Sequence, residues 1–242
     1  MSETLFVSDV HLDVKRPAIV DLFNQFLLKR ALHADALYIL GDLFEYWIGD
    51  DAPHQEYQST FNALKKVSSS NTPVYFLHGN RDFLVATKFA KQTGISLLSE
   101  EHVVNIYGQN ILLMHGDTLC IDDIAYQRFR KKAHKKWLQW VVLHLPITTR
   151  QSLAQRLRDT STQATAEKHA DIMDVNQSAV ETAMQRNNTK TLIHGHTHRP
   201  AIHDFKINSV TYKRAVLGDW YTHGSVISAN YDGINLESFS SI

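Results

Sequence analysis

The sequence predicts an α/β fold, two mixed sheets flanked by helices, with a helical insertion over residues 120–186. Three observations lead there. The first half alternates short β-branched runs with amphipathic stretches of helical period, the pattern of strands joined by helices. The last third reads as hairpin strands. Between them, residues 120–186 carry much helix signal and little strand signal.

Taken in order, "TLFVSDVH" (4–11) is a buried strand that ends in polar residues. "PAIVDLFNQFLLKRAL" (17–32) opens with proline, which suits a first helical turn, and repeats apolar residues at helical spacing. "DALYILGDLF" (35–44) is a strand running into a turn, a helix follows over Gln55 to Ser68, and "TPVYFLHGNRD" (72–82) is a third strand ending in the same way. "EHVVNIYGQNILLMHGD" (101–117) reads as two strands around a turn at Gly108-Gln109-Asn110. "TYKRAVLGDWYTHGSVISANYDGINLESF" (211–239) adds hairpin strands with turns near Gly224 and Gly233. In open α/β sheets ligands collect at the carboxyl ends of the strands, so these polar strand ends are expected to converge.

Composition limits the functions. A chain of 242 residues, 43% hydrophobic, supports one sizeable core. Its one cysteine, Cys120, makes no intramolecular disulfide, and "MSETLFVSDVHLD" lacks the basic flank and long apolar core of a signal peptide, which points to a reducing, cytosolic setting. Lys plus Arg and Asp plus Glu balance at 25 each, against a general nucleic-acid binder. The oddity is 14 histidines, the commonest metal ligand among side chains.

Five strand ends share one chemistry. Asp9 and His11 lie two apart, so they face one side if the strand persists. Asp42 follows Gly41, Asn80 follows Gly79, His115 precedes Gly116, and His196 and His198 follow Gly195. Carboxylate, imidazole and amide oxygen together suit Mn²⁺, Fe²⁺ or Zn²⁺ rather than Ca²⁺. Each motif alone is weak, since "GD" and "GN" are ordinary turn dipeptides. Two imidazoles on one strand face are harder to bury without a metal. His194, the third histidine of "HGHTH", is expected on the opposite face as a core or supporting residue.

The ordered set "DVH", "GDLFEYW", "GNRD", "MHGD", "GHTH" resembles the calcineurin-like metallophosphoesterase superfamily. That resemblance implies a four-layer αββα sandwich over 1–242 with residues 120–186 as a helical lid. It also implies two metal ions per chain, one on Asp9, His11, Asp42 and His198, the other on Asp42, Asn80, His115 and His196, with Asp42 bridging. Many members have histidine after the asparagine of "GN"; here Arg81 stands there. Arginine is no general acid, its pKa exceeding about 12, but it grips phosphate bidentately. A pyrophosphate substrate follows, because a leaving phosphate with second pKa near about 6 departs without a proton donor.

The insertion narrows the substrate. "RFRKKAHKKWLQWVVLHLP" (128–146), as one helix, puts Phe129, Ala133, Trp137, Trp140, Val141, His144 and Leu145 near one face beside Arg128, Arg130, Lys131, Lys132, Lys135 and Lys136. Such a helix either packs its stripe on the core or meets an anionic bilayer or acyl chain. With "IMDVN" and "HGHTHRPAIH", the chain as a whole resembles the UDP-2,3-diacylglucosamine diphosphatases of lipid A biosynthesis. That resemblance implies attack at the α-phosphorus, giving UMP and 2,3-diacylglucosamine 1-phosphate, with Mn²⁺ favoured, by a peripheral protein on the cytoplasmic face of the inner membrane. It assigns headgroup contacts to Asn80, Arg81, Asp123, Ser161, Thr165, Lys168 and His196. The alternatives are a hydrolase of soluble dinucleoside polyphosphates or nucleotide sugars, and a non-catalytic metal-binding scaffold.

Overall fold

The structure, a computed structural model, describes residues 2–167 and 174–241, with the backbone alone over 161–167. The elements run β1 (Thr4–Val7), α1 (Pro17–Lys29), β2 (Ala36–Ile39), α2 (Gln58–Ser68), β3 (Val74–Phe76), α3 (Thr87–Thr93), β4 (Ser96–Leu97), β5 (His102–Ile106) and β6 (Gln109–Leu113). Then come α4 (Ile124–Ala133), α5 (Lys136–Leu143), α6 (Ile147–Glu167), α7 (Gln177–Arg186), β7 (Thr191–His194), β8 (Ala201–Ile207), β9 (Val210–Val216), β10 (Gly224–Asn230) and β11 (Gly233–Phe239).

Two mixed sheets result, ordered β11-β10-β1-β2-β3-β4 and β5-β6-β7-β9-β8. In the first, β1 through β4 are parallel and β10 joins β1 antiparallel; in the second, β6, β7 and β9 are parallel and β5 and β8 close the edges antiparallel. Alternation along each strand sorts side chains into layers. Leu5 and Val7, Leu37 and Ile39, Val74 and Phe76 face α1, α2 and α3. Phe6 and Tyr38 face the second sheet, meeting Ile111, Leu113, Ile193 and Ala215. Leu112 and Leu192 point the other way, onto Val180, Ala183 and Met184 of α7. The four layers are therefore helices, sheet, sheet, helix.

Aromatic packing anchors the first of these layers to the site. Trp220 is fully buried, edge-on to Phe23, Phe26 and Phe239 at centroid distances of 5.4, 5.6 and 5.4 Å. Burying one such side chain contributes about 1.5–3 kcal/mol. Its backbone N–H donates to Asp9 O at 3.1 Å, so core packing fixes the loop after β1.

Several boundaries differ from expectation. The first helix ends at Lys29, followed by a 3-10 turn at Ala31–His33, and the helix expected from Gln55 begins as a 3-10 turn before α2. The β5–β6 turn lies earlier than expected: Ile106 pairs with Gln109, so Tyr107 and Gly108 form it, both with positive φ, 49° and 82°, as a two-residue hairpin requires. Gly224 opens β10 rather than marking a turn. The β8–β9 hairpin turns at Asn208 and Ser209, φ 48° and 67°, where no glycine signals it. The helix expected across 128–146 is two: it breaks at His134 and Lys135, where His134 stacks on Phe83 at 5.1 Å and Lys135 is extended. Of the stretch 120–186, α7 belongs to the sandwich, whereas α4 and α5 bury no residue. Among the described residues no helix is long and apolar enough to cross a membrane.

Candidate metal centre

The loops after β1, β2, β3, β6 and β7 meet at the carboxyl edge of the two sheets. The first strand does not persist to Asp9 and His11, as alternation would need. It ends at Val7, and both residues take left-handed backbone, φ 52° and 49°. Asp42, His196 and His198 do the same, at 51°, 69° and 55°. Left-handed non-glycine residues are uncommon, and each costs of order 1–3 kcal/mol unless its surroundings over-determine it. Here they do. Asp9 N–H donates to Gly41 O at 3.1 Å and His11 N–H to Asp42 O at 3.0 Å. The fully buried Asp82 carboxylate accepts from Leu43 N at 2.8 Å, Gly79 N at 2.9 Å and Asp42 N at 3.3 Å. A Cβ at Gly79 would overlap the Asp42 carboxylate, and one at Gly195 would overlap Ser8 Oγ and Asp9 Oδ2, so both must be glycine for the loops to close.

Two clusters form around Asp42. On one side His11 Nε2 lies 3.9 Å from both Asp9 Oδ1 and Asp42 Oδ2 and 3.3 Å from His198 Nε2, while His198 Nε2 lies 3.4 Å from Asp9 Oδ1. On the other, His115 Nε2 is 3.7 Å from Asp42 Oδ1 and 2.9 Å from Asn80 Oδ1, which is also 2.9 Å from His196 Nδ1. Each Asp42 oxygen thus faces one cluster. His194 stands apart: it closes β7, is fully buried, and its Nδ1 is 2.8 Å from Gly195 O. Strand alternation would put His194 on the same face as His196 and His198, so the expected opposite face does not come from alternation. The strand's end and the left-handed backbone at His196 and His198 separate them.

These groups crowd charge that burial disfavours. Burial raises Asp42 to about 7, the pull of His115 being offset by Asp82 and Asp9. For Asp9 burial also raises, but the hydrogen bond and charge of His198, with His115 and His11, hold it well below the usual carboxylate range. Burial lowers His115, yet Asp42, Asp9 and Asp117 carry it up to about 9. His196 is pushed down to about 4 by burial and His115. A cation answers this arrangement. Asp9 Oδ1 and His11 Nδ1 are buried without a hydrogen-bond partner. An unpaired buried ion costs several kcal/mol. Seven donor side chains converge on one buried pocket of charge, countered within the chain by His115, His198 and Arg81. The residues fit divalent metal ions, and the donor atoms of Asp9, His11 and His198, and of Asp9, Asp42 and His115, lie within 4.8 Å of one another.

A sequence model of the calcineurin-like phosphoesterase family matches residues 3–200. The chain belongs to this family. It is also 51% identical over 236 residues to proteins named UDP-2,3-diacylglucosamine hydrolase from Escherichia fergusonii, Escherichia coli and Shigella sonnei, covering 98% of this chain and 98% of each relative.

Around the phosphoesterase centre the remaining expected residues take different places. Arg81 N–H donates to Asp42 Oδ1 at 2.8 Å; its charge acts on Asp42, His11 and Tyr221. Asp123 caps α4, accepting from Tyr126 N at 3.1 Å. Tyr126 brings α4 beside the centre: its ring is 5.9 Å from His196 and its hydroxyl donates to Asp117 at 2.7 Å. The backbone of α6 runs through Ser161 and Thr165, whose side chains, with the whole of Lys168, lie outside the described residues. Trp137 and Trp140 are 63% and 62% exposed, so this stripe does not pack on the core. Sequence reasoning passed over Asp82, Glu45 and Asp219, whose carboxylate is 3.5 Å from His198 Nδ1. The signal was present, because Asp82 and Glu45 lie inside "GNRD" and "GDLFEYW".

Proposed function

We propose that this phosphoesterase hydrolyses the pyrophosphate of UDP-2,3-diacylglucosamine at the α-phosphorus, releasing UMP and 2,3-diacylglucosamine 1-phosphate in lipid A biosynthesis. The observation that carries the reading is 51% identity, over 98% of both chains, to hydrolases of that name. Asp9, His11, Asp42 and His198 hold one cation, and Asp42, Asn80, His115 and His196 the other, with Mn²⁺ as the proposed ion. When bound, the pair supplies activation of a water, a clamp on phosphoryl oxygens and neutralisation of charge.

The chain's own groups do the rest. Asp42 bridges, one carboxylate oxygen toward each cluster. His115 donates its Nδ1–H to Leu40 O at 2.8 Å, which fixes the ring and leaves Nε2 for a cation. Asp219 places its carboxylate 3.5 Å from Nδ1 of His198, an ion-pair partner on the side of the ring away from the cluster. Arg81 holds the second phosphate of the substrate, and the departing phosphate needs no acid. Among the described residues its guanidinium makes no hydrogen bond or ion pair, which leaves its donors for that phosphate. The chain reads as one domain, with α4, α5 and α6 as the lid and α7 in the sandwich. Asp123, Ser161, Thr165 and Lys168 contact the headgroup, and Trp137 and Trp140 meet the acyl chains or the cytoplasmic face of the inner membrane, where the protein is peripheral. The exposure of both tryptophans beside lysines supports that over a soluble nucleotide substrate.

Hydrolysis in ¹⁸O-labelled water with Mn²⁺ and detergent tests this, comparing UDP-2,3-diacylglucosamine, UDP-N-acetylglucosamine and a diadenosine polyphosphate. Label in UMP with the acylated substrate preferred is expected. Label in the sugar phosphate, or preference for a soluble nucleotide, overturns the reading.

A further inference from the structure

Glu45 lies three residues past Asp42 and is 3% exposed. Its carboxylate gathers groups from three parts of the fold. Oε2 accepts from Arg16 Nη2, at the start of α1, at 3.2 Å, and lies 3.7 Å from His11 Nδ1. Oε1 is 3.1 Å from Nε of Arg158, which reaches down from α6 and also lies 3.6 Å from Asp13. At the start of the same helix Arg150 pairs with Asp51 and donates to Ile48 O at 2.7 Å. His11 Nδ1 has no hydrogen-bond partner, and Glu45 is the carboxylate it faces. The other ring nitrogen lies among Asp9, Asp42 and His198. Tyr221 stacks on that imidazole, 5.5 Å between centroids and 8° between planes, with Arg16 over its own ring at 4.6 Å.

We infer that Glu45 is a positioning residue that couples the lid helix α6 to the metal ligand His11. Arg158 on Oε1 holds the carboxylate against His11 Nδ1. The proton is thereby kept on Nδ1, and the lone pair of Nε2 faces the cation. The coupling is reciprocal. With a cation held by His11, the Nδ1–H would be the stronger donor toward Glu45, and the carboxylate would stay in place for Arg158. Metal binding and lid docking then favour each other. This rests on the reading that His11 holds a cation.

The test titrates Mn²⁺ calorimetrically into the full chain and follows amide hydrogen exchange over residues 150–160 with and without Mn²⁺. Glu45→Gln keeps shape and loses charge; it is expected to weaken the affected site by about 10–100-fold, the usual effect of removing an outer-shell partner of a metal ligand. Arg158→Ala, on a part-exposed helix face, is expected to weaken it about fivefold, the low end of coupling between sites. Mn²⁺ should slow exchange over 150–160 in the wild-type chain and not in either variant. An affinity in Glu45→Gln equal to wild type, or Mn²⁺-dependent slowing that survives Arg158→Ala, overturns the inference while leaving the metal centre intact. Failure of the wild-type chain to bind Mn²⁺ overturns the metal reading as well. If Glu45→Gln does not fold, Arg158→Ala carries the test.

Discussion

In the sandwich, Asp9, His11, Asp42 and His115 are at most 2% exposed, and their loops are held by backbone hydrogen bonds and the Asp82 carboxylate. In the helical insertion, α4 and α5 bury nothing, and Trp137 and Trp140 are more than half exposed. The sandwich over-determines its backbone and so maintains five strained, left-handed residues. The insertion is joined to it through side chains: Arg130 with Asp117, Arg150 with Asp51, Arg158 with Glu45. Chemistry that needs donor atoms fixed to fractions of an ångström sits on the first kind of structure. The proposed recognition of a large amphipathic substrate falls to the second, which touches the donors through Arg158 and Glu45.

The largest effect that would break this contrast is at Asp42. Asp42→Asn tolerates the left-handed backbone but weakens the bridge, and metal content and turnover should fall by at least about a hundredfold, the upper range for mere outer-shell partners. Stability of the metal-free chain should move the opposite way. A carboxyl raised to about 7 by burial binds more protons folded than unfolded between its unfolded value and pH 7. The folded state therefore loses stability as pH rises through that window, and above it the whole penalty is present. Asp42→Asn removes the penalty, so thermal denaturation of the metal-free chain at pH 8 should shift upward by several degrees, ~1 kcal/mol being about 2–4 °C at this size.

Next in size is Arg81→Ala, expected to lower kcat/KM by about 10²–10³, as loss of one charge-stabilising donor does, with metal content near two per chain. Loss of metal on that substitution would make Arg81 part of the sandwich's structure instead. A smaller effect concerns pH. His115, raised to about 9, must lose its Nε2 proton to solvent before that nitrogen could hold a cation, so Mn²⁺ affinity should rise from pH 7 to pH 9, by up to about tenfold per unit, and level off above. A flat profile would contradict this, and calorimetry at three pH values decides it. The smallest effect sharpens the lid's side of the comparison. Replacing Trp137 and Trp140 together by alanine should leave the unfolding free energy within about ±0.5 kcal/mol of wild type and weaken binding to anionic vesicles in a sedimentation assay.

Much of this was legible in the residues. The strands and helices of the first half followed from β-branched runs and helical spacing, the four layers from the family resemblance, and the donor set from short apolar runs ending in Asp, His or Asn beside glycine. What alternation could not supply was the donors' direction. Asp9 and His11 converge because β1 stops and the backbone turns left-handed, not because a strand continues. Residues 128–146 read as one helix because periodicity runs through His134, whereas the chain breaks there, with the His134 ring stacked on Phe83, a contact 51 positions away in the chain. Glu45 was invisible as a positioning residue, since its partners Arg16, His11 and Arg158 are gathered only by the fold.

The most direct test of the division between sandwich and lid is the ratio of kcat/KM for UDP-2,3-diacylglucosamine to that for UDP-N-acetylglucosamine, with Mn²⁺ saturating, in the wild-type chain and in the Trp137→Ala/Trp140→Ala variant. The account predicts a ratio well above one that falls in the variant because the acylated substrate slows while the soluble one does not. An equal loss on both substrates, or a wild-type ratio below one, would contradict it.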